Sequence, residues 1–184
     1  MDKATIRRGR GWDLGLDYEA FNKKLVRFMR VAREHFPSLT WQRRYVYCVV
    51  LLTQLRNGSR ISEAIEAVKA WAETGRREVW VKLGKSKDRK RLMIIPNEVS
   101  DRVRGLVKLH IKEINRNNVY AFARRRWGIN THSLRYALVT YLGKQGYPAQ
   151  IIAKITGHSS LQYIQHYTEK TAAFDILRRL AGPS

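Results

Sequence analysis

Apolar residues recur at helical spacing along most of the chain. Within residues 18–36 they fall every three or four positions, which predicts a helix that Pro37 ends. A second, more apolar helix is predicted from a cap at Thr40 to the pair Asn57-Gly58, and a third ends before Gly75. The first part of the chain is therefore predicted to be a bundle of helices behind a basic, irregular arm.

The pattern changes to strict alternation in the middle of the chain. Residues 78–83 alternate as a strand does, residues 84–88 form a turn, and residues 91–95 form the returning strand, closed by Pro96. The pattern predicts a β-hairpin with a strongly basic tip. The cations at and around this tip are Lys82, Lys85, Lys87, Arg89, Lys90 and Arg91.

Helical spacing returns after the hairpin and continues to the end of the chain. Helices are predicted over residues 99–114, 118–127, 131–146, 148–157, from Ser159 onward, and over 170–181. The predicted fold class is mainly α with one small antiparallel sheet, an α+β arrangement.

The net charge of the chain indicates what kind of partner it binds. The 184 residues contain 36 Lys and Arg against 15 Asp and Glu, a formal net charge of +21. Such an excess destabilises a compact chain by self-repulsion, and nucleic acid is the commonest polyanion that relieves it. A generally basic surface, a ribosomal role and a membrane surface remain alternatives on charge alone.

Cysteine, histidine and apolar runs exclude several classes of protein. Cys48 is the single cysteine, so no intrachain disulfide can form, and we expect a buried thiol. No apolar run is long enough to cross a bilayer, and no signal peptide is recognisable, so we expect a cytoplasmic protein. The five histidines form no H-x-x-x-H pattern and there is no C-x-x-C, which predicts that the chain binds no metal and needs no cofactor.

Five short segments carry candidate chemistry. They are G-S-R-I-S-E at 58–63, G-K-S-K-D-R at 84–89, H-S-L-R at 132–135, G-H-S-S at 157–160 and Y-T at 167–168. Each is weak alone, but His132 and His158 are 26 positions apart and Tyr167 follows His158 by 9. This order and spacing resemble the tyrosine recombinase family, which includes phage and Xer-like integrases. The resemblance covers roughly residues 40–181.

The resemblance implies a site that breaks and rejoins DNA without a metal. Arg60 and Arg135 would clamp the phosphate oxygens with planar donors that keep their charge. Tyr167 would be the nucleophile that forms a covalent 3′-phosphotyrosyl intermediate. Tyr163, four residues earlier, is the alternative nucleophile.

Proton transfer and positioning fall to the remaining matched residues. Lys85 on the hairpin would protonate the leaving 5′-oxygen, with Lys87 as the alternative acid. His132 would accept or donate a proton, and His158 would donate a hydrogen bond to the scissile phosphate. Glu63 would orient the residues that contact the phosphate without contacting the phosphate itself.

DNA contacts and self-association are further implications. Residues predicted to contact double-stranded DNA are Lys87, Arg89, Lys90, Arg91, Arg124, Arg125 and Arg126. Self-association into a dimer or tetramer on DNA is expected through the segment 174–180, whose apolar stripe is Phe174, Leu177 and Leu180. Residues 1–39 are predicted to be a basic arm and helix, too short for the family's core-binding domain, and 40–184 the catalytic domain.

Two other functions fit the same residues. A type IB topoisomerase-like enzyme would nick and reseal DNA with this chemistry but without synapsis. A DNA-binding relative would keep the fold and lack catalysis. The intact motif set disfavours the silent relative, and the apolar stripe of 174–180 disfavours the topoisomerase, so site-specific recombination by a mobile-element or viral integrase is the leading interpretation.

Overall fold

The computed structural model describes residues 15–83, 89–162 and 164. Within them the chain is mainly α-helical with one small antiparallel sheet, which confirms the predicted fold class. The α-helices are α1 (Tyr18–Glu34), α2 (Leu39–Asn57), α3 (Ile61–Thr74), α4 (Arg104–Leu109), α5 (Arg116–Trp127), α6 (Thr131–Lys144) and α7 (Ala149–Thr156). The strands are β1 (Glu78–Lys82) and β2 (Lys90–Ile94), and a 3-10 turn spans Asp101–Val103.

Helix α2 is the centre of the fold. Most of its residues from Tyr45 to Leu55 are buried, because a helix that is apolar all round must be covered on every side. Its main covering partners include Leu25 of α1, Trp71 of α3 and Leu134 of α6. Since α1 shares this core, the packing continues across residue 39, where the sequence predicted a boundary.

A smaller apolar cluster fixes the position of α7. Val139 of α6 packs with Ile152 and Ala153 of α7 and with Ile164. This contact holds α7 with its carboxyl end, Thr156, facing the junction between α2 and α3.

The hairpin is present as predicted, with strands that pair Glu78 with Ile94 and Lys82 with Lys90. Val81 and Met93 face the core, whereas Trp80 on the other face is 65% exposed. Residues 84–88, the predicted turn that carries Lys85 and Lys87, lie outside the described residues.

The prediction of one continuous helix over 99–114 is wrong. The chain instead forms the 3-10 turn, the short α4, and a further turn around the buried His110. Asp101 accepts hydrogen bonds from Trp71 Nε1 and Arg77 Nη1, and His110 is hydrogen-bonded to Gln42. These tertiary contacts bend a segment whose apolar spacing alone favours one helix. None of the helices in the described ranges is long and apolar enough to cross a membrane.

Candidate active site

Four helix ends meet at one place on the fold. The carboxyl end of α2 leads through Gly58 and Ser59 directly into the amino end of α3, and Gln54 Nε2 donates to Thr131 O at the start of α6, 2.8 Å away. Arg135 of α6 donates from Nη1 to Gly58 O at 2.9 Å and to Thr156 O at 2.6 Å. Segments that are distant in sequence are thereby drawn into one cluster.

Arg60 and Glu63 belong to this cluster and lie at the start of α3. The Glu63 carboxylate accepts from the Arg60 backbone N–H at 3.1 Å and from Arg60 Nη1 at 2.9 Å. The carboxylate satisfies a backbone donor that the helix start leaves without an intrahelical partner. Glu63 is buried, whereas the Arg60 side chain is 42% exposed. The Glu63 carboxylate therefore holds Arg60 by two hydrogen bonds, and the Arg60 guanidinium remains accessible to a ligand.

Arg135 is the most deeply buried cation of the cluster. Burial, and then the charge of Arg60, lowers its pKa to about 10, so it stays charged at neutral pH. Its Nη2 is buried and has no hydrogen-bond partner among the described residues. A buried donor left without an acceptor is costly, so the site has unused capacity for an oxygen ligand.

His158 follows α7 and is held in one tautomer. Its Nε2 lies 3.2 Å from Arg135 Nε, and because an arginine only donates, Nε2 must accept. The ring proton is then on Nδ1 and is donated to Thr156 Oγ1 at 2.7 Å, while that hydroxyl donates to Ile152 O. Burial, and then Arg135, lowers the His158 pKa to about 4, so the ring is neutral at pH 7. In this arrangement His158 accepts from the arginine, whereas the sequence predicted a donor to phosphate.

His132 lies in the first turn of α6, which Asn130 caps by accepting a hydrogen bond from the His132 backbone N–H. Its ring packs edge-to-face on Tyr136, with centroids 5.6 Å apart. Burial lowers its pKa, and Arg135, Arg60 and Arg116 lower it further. The lowered pKa keeps the imidazole neutral at pH 7 and so available to accept a proton, while the neighbouring cations make it a weaker base. Arg116, at the start of α5, is a neighbour that the sequence did not identify.

Arg91 differs from its predicted role as a DNA contact. Its side chain is 5% exposed and donates to Thr156 O at 2.7 Å and to Glu63 Oε2 at 3.4 Å. It also donates to the carbonyls of Asn57 and Ile155. The guanidinium therefore joins α2, α3 and α7 from inside. The two-residue period of the strand was the signal for this burial, because Arg91 shares a face with the buried Met93.

The other predicted DNA contacts divide between two places. Arg89 and Lys90 line a cavity of about 1060 Å³ that Gly157 and His158 also border. Arg124, Arg125 and Arg126 lie at the far end of α5. Lys85, Lys87, Tyr163, Tyr167 and the segment 174–180 fall outside the described residues, so their roles stay predictions. No group of His, Cys, Asp and Glu suited to a metal occurs in the part of the chain that the structure describes.

Comparison with known proteins decides the family. Residues 110–173 match the phage integrase family, a range that contains His132, Arg135, His158 and Tyr167. The chain is also 39% identical over 171 residues to "Putative integrase ORF241" of Acidianus two-tailed virus, across 92% of this chain and 69% of that protein. The chain belongs to the phage integrase family.

Two further relatives match nearly the whole chain. "Uncharacterized protein MJ0770" of Methanocaldococcus jannaschii is 33% identical over 207 residues, with 96% of this chain and 92% of that protein covered. "Putative integrase V10" of Sputnik virophage is 28% identical over 213 residues, with 97% and 94% covered. No solved structure matches the chain. Membership of the integrase family confirms the resemblance recognised in the sequence and supports an integrase or recombinase function.

Proposed function

We propose that the chain is a site-specific DNA recombinase that cleaves and rejoins strands through a covalent 3′-phosphotyrosyl intermediate. The observation that carries the proposal is the convergence of Arg60, Arg135, His132 and His158 from three separate motifs on one cluster. Family membership supplies the class of reaction, and the cluster supplies the charges that this reaction needs.

The charge of the cluster fits a phosphodiester. Three guanidiniums, those of Arg60, Arg91 and Arg135, surround the single carboxylate of Glu63. The excess positive charge favours an anion, and Nη2 of Arg135, which has no hydrogen-bond partner within the described ranges, provides a donor for one of its oxygens. As the phosphorus becomes five-coordinate, its nonbridging oxygens gain charge and these donors bind more strongly.

Tyr167 and Lys85 complete the proposed reaction. The Tyr167 oxygen forms a bond to phosphorus as the bond from phosphorus to the 5′-oxygen breaks. His132, neutral beside its arginines, takes the phenol proton, and Lys85 gives a proton to the leaving oxygen. Rejoining runs the same steps in reverse, so the energy of the phosphodiester is kept in the intermediate.

The test of the nucleophile uses a nicked suicide duplex and a gel that detects a covalent protein–DNA band. Tyr167→Phe removes one oxygen, so it should abolish the band while DNA affinity stays close to that of the parent. Tyr163→Phe is the matched control and should keep the band. A band from Tyr167→Phe together with none from Tyr163→Phe would overturn the assignment. Because the arginines provide the positive charge, adduct formation should also persist in excess EDTA.

The test of the acid uses a substrate with a bridging 5′-phosphorothiolate, whose sulfur leaves without a proton. General-acid help is worth about 10²–10⁴-fold, so Lys85→Ala should be slow on normal DNA and fast again on this substrate. Arg60→Ala should stay slow on both substrates, because it lacks part of the charge clamp. Rescue of Lys87→Ala in place of Lys85→Ala would identify Lys87 as the acid.

We also propose that the protein self-associates on DNA through the segment 174–180, and that it serves a mobile element. Phe174, Leu177 and Leu180 repeat at helical spacing, which suits an apolar contact between subunits. The viral and virophage sources of two relatives support the second part. Leu177→Asp should reduce complexes with more than one subunit in a sedimentation experiment on DNA, while single-subunit binding persists.

A further inference from the structure

A basic pocket lies away from the catalytic cluster, between α2 and α5. It encloses about 480 Å³. Its lining residues are Thr40, Arg43, Arg44, Tyr47, Phe122, Arg125 and Arg126. We call it the distal pocket.

The courses of α2 and α5 separate the distal pocket from the catalytic cluster. Helix α2 reaches the cluster at Gly58, whereas Arg44 lies 14 residues earlier, about 20 Å away along the helix axis at 1.5 Å per residue. Helix α5 begins at Arg116, whose charge lowers the pKa of His132 in the catalytic cluster. Arg125 and Arg126 lie at the opposite end of α5. The pocket arginines therefore cannot hold the same phosphate as Arg60 and Arg135.

The distal pocket combines cations with aromatic surface. Its described lining has four guanidiniums and no acidic side chain. Tyr47 offers a partly exposed ring at the base of the pocket, and the buried Phe122 packs against it, with ring centroids 5.6 Å apart. Arginines scattered over a basic protein usually only face solvent. Here four arginines line one pocket together with aromatic side chains. Phosphates bind guanidiniums, and sugars and bases pack on aromatic rings, so this combination suits a nucleic-acid strand.

Two of the arginines are already held in place by aromatic rings. The Arg44 guanidinium lies 4.8 Å from the Trp41 centroid, and that of Arg126 lies 5.3 Å from the Phe28 centroid. Stacking of this kind restricts the side chains before a ligand arrives, which lowers the entropy lost on binding. Arg43 and Arg125 remain exposed at the pocket edge.

We propose that the distal pocket is a second nucleic-acid-binding site, which takes the phosphodiester backbone of a strand other than the one in the catalytic cluster. The inference does not depend on cleavage, because it concerns binding at a separate place on the chain. Under this proposal, Arg125 and Arg126 contact a second nucleic-acid segment and not the DNA that is cut.

The test measures how many oligonucleotides one chain binds. Short duplexes and short single strands, chosen too short to span both places, are titrated separately into the full chain at low salt. Wild-type protein should bind two oligonucleotides per chain in at least one arm, and the arm that gives two identifies duplex or single strand as the ligand. Arg43→Glu/Arg125→Glu should weaken the second binding event at least about tenfold, since it reverses two phosphate contacts.

The matched control is Arg76→Glu/Arg102→Glu, which changes two exposed arginines outside both places by the same charge. It should keep two binding events, as should Arg43→Lys/Arg125→Lys, which preserves the charge. If charge reversal lowers the unfolding temperature, Arg43→Gln/Arg125→Gln replaces it. One oligonucleotide per wild-type chain in both arms, or two on the folded pocket variant, would overturn the proposal.

Failure of the proposed function has a different signature. The pocket variants should form the covalent adduct on a nicked duplex at the wild-type rate under saturating DNA. Absence of adduct from wild-type protein would contradict the recombinase proposal and leave the stoichiometry unchanged. Absence of the second binding event with normal adduct formation would contradict only the distal pocket.

Discussion

Thr156 ties the buried arginines to His158. Its carbonyl accepts hydrogen bonds from both Arg91 and Arg135, and its hydroxyl accepts the proton of His158 Nδ1 while donating to Ile152 O. The end of α7 thus sets both the position of two cations and the tautomer of the histidine between them. No motif in the sequence identified this residue, because a threonine before G-H-S-S has no chemistry of its own.

The Thr156 hydroxyl should contribute to the rate of cleavage through His158. Thr156→Val keeps the shape but removes the acceptor for Nδ1–H, so the imidazole is held only through Nε2 by Arg135 and its orientation is less fixed. A neutral hydrogen bond is worth about 1 kcal/mol net, so the rate of adduct formation should fall by up to about tenfold. Thr156→Ser should restore the rate. Equal rates for the valine and serine variants, measured on a nicked duplex, would show that the hydroxyl has no positioning role.

The low pKa of His158 should make the folded protein sensitive to acid. Its pKa is about 4 in the folded state, below the ordinary histidine value of 6.5. Between these values the unfolded chain binds a proton that the folded chain does not, so stability is full above pH 6.5 and is lost as the pH falls towards 4. Partial exposure of the ring reduces the loss to about 1–2 kcal/mol. Urea unfolding of the DNA-free protein at a series of pH values measures it.

The matched variant for this pH effect is His158→Gln, which cannot be protonated. Its free energy of unfolding should change less with pH than that of wild-type protein over the same range. Because His132 has a lowered pKa as well, some acid sensitivity should remain in this variant. Identical pH profiles for the two proteins would contradict the assignment of the effect to His158.

At the scale of elements, apolar spacing predicted helices and strands better than it predicted their interruptions. Alternation at 78–83 and 91–95 gave the hairpin, because neighbouring residues of a strand face opposite sides whatever lies around them. The break within 99–114 depends on Trp71 and Gln42, which are distant in sequence. Motif order drew attention to Arg60 and Arg135 as candidates, whereas the carbonyls that hold Arg135 could be found only in the folded chain.

The junction between α2 and α3 requires glycine at position 58. Gly58 has φ +54, and a Cβ there would lie 2.7 Å from Thr156 Cγ2 and 2.9 Å from Leu138 Cδ2. Gly58→Ala should therefore add a steric clash to the backbone strain of about 1–2 kcal/mol. We expect a total loss of about 3 kcal/mol or more in the free energy of unfolding. Because Gly58 O accepts from Arg135, adduct formation should fall as well.

Gly128→Ala is the control for Gly58→Ala. Gly128 also has positive φ, +68, but nothing lies within 4 Å of a Cβ built there. This variant should lose only the strain of about 1–2 kcal/mol. Chemical denaturation of both variants gives the comparison. Equal destabilisation would mean that close packing at the junction adds nothing to the conformational requirement.

At the scale of the whole molecule, positive charge is placed where it can hold anions. Among the described residues, the candidate active-site cluster has three guanidiniums to one carboxylate, and the distal pocket has four guanidiniums and no acidic residue in its lining. Each arrangement carries unfavourable repulsion in the free protein, since like charges are held close together. The same repulsion becomes affinity when a polyanion binds.

Salt should therefore act on the free protein and on its DNA complex in opposite directions. With a formal net charge of +21, the DNA-free chain is destabilised by self-repulsion, which added salt screens because the Debye length is about 10 Å at 0.1 M. The unfolding temperature of the free protein should rise as sodium chloride increases from low concentration. Binding of duplex DNA should weaken over the same range, with a slope of log affinity against log salt of about −0.9 per phosphate neutralised. Calorimetry and fluorescence anisotropy measure the two trends on one preparation. A DNA affinity that does not depend on salt would mean that the positive charge serves a partner other than nucleic acid. An unfolding temperature that falls with added salt would mean that attractive ion pairs outweigh repulsion in the free chain.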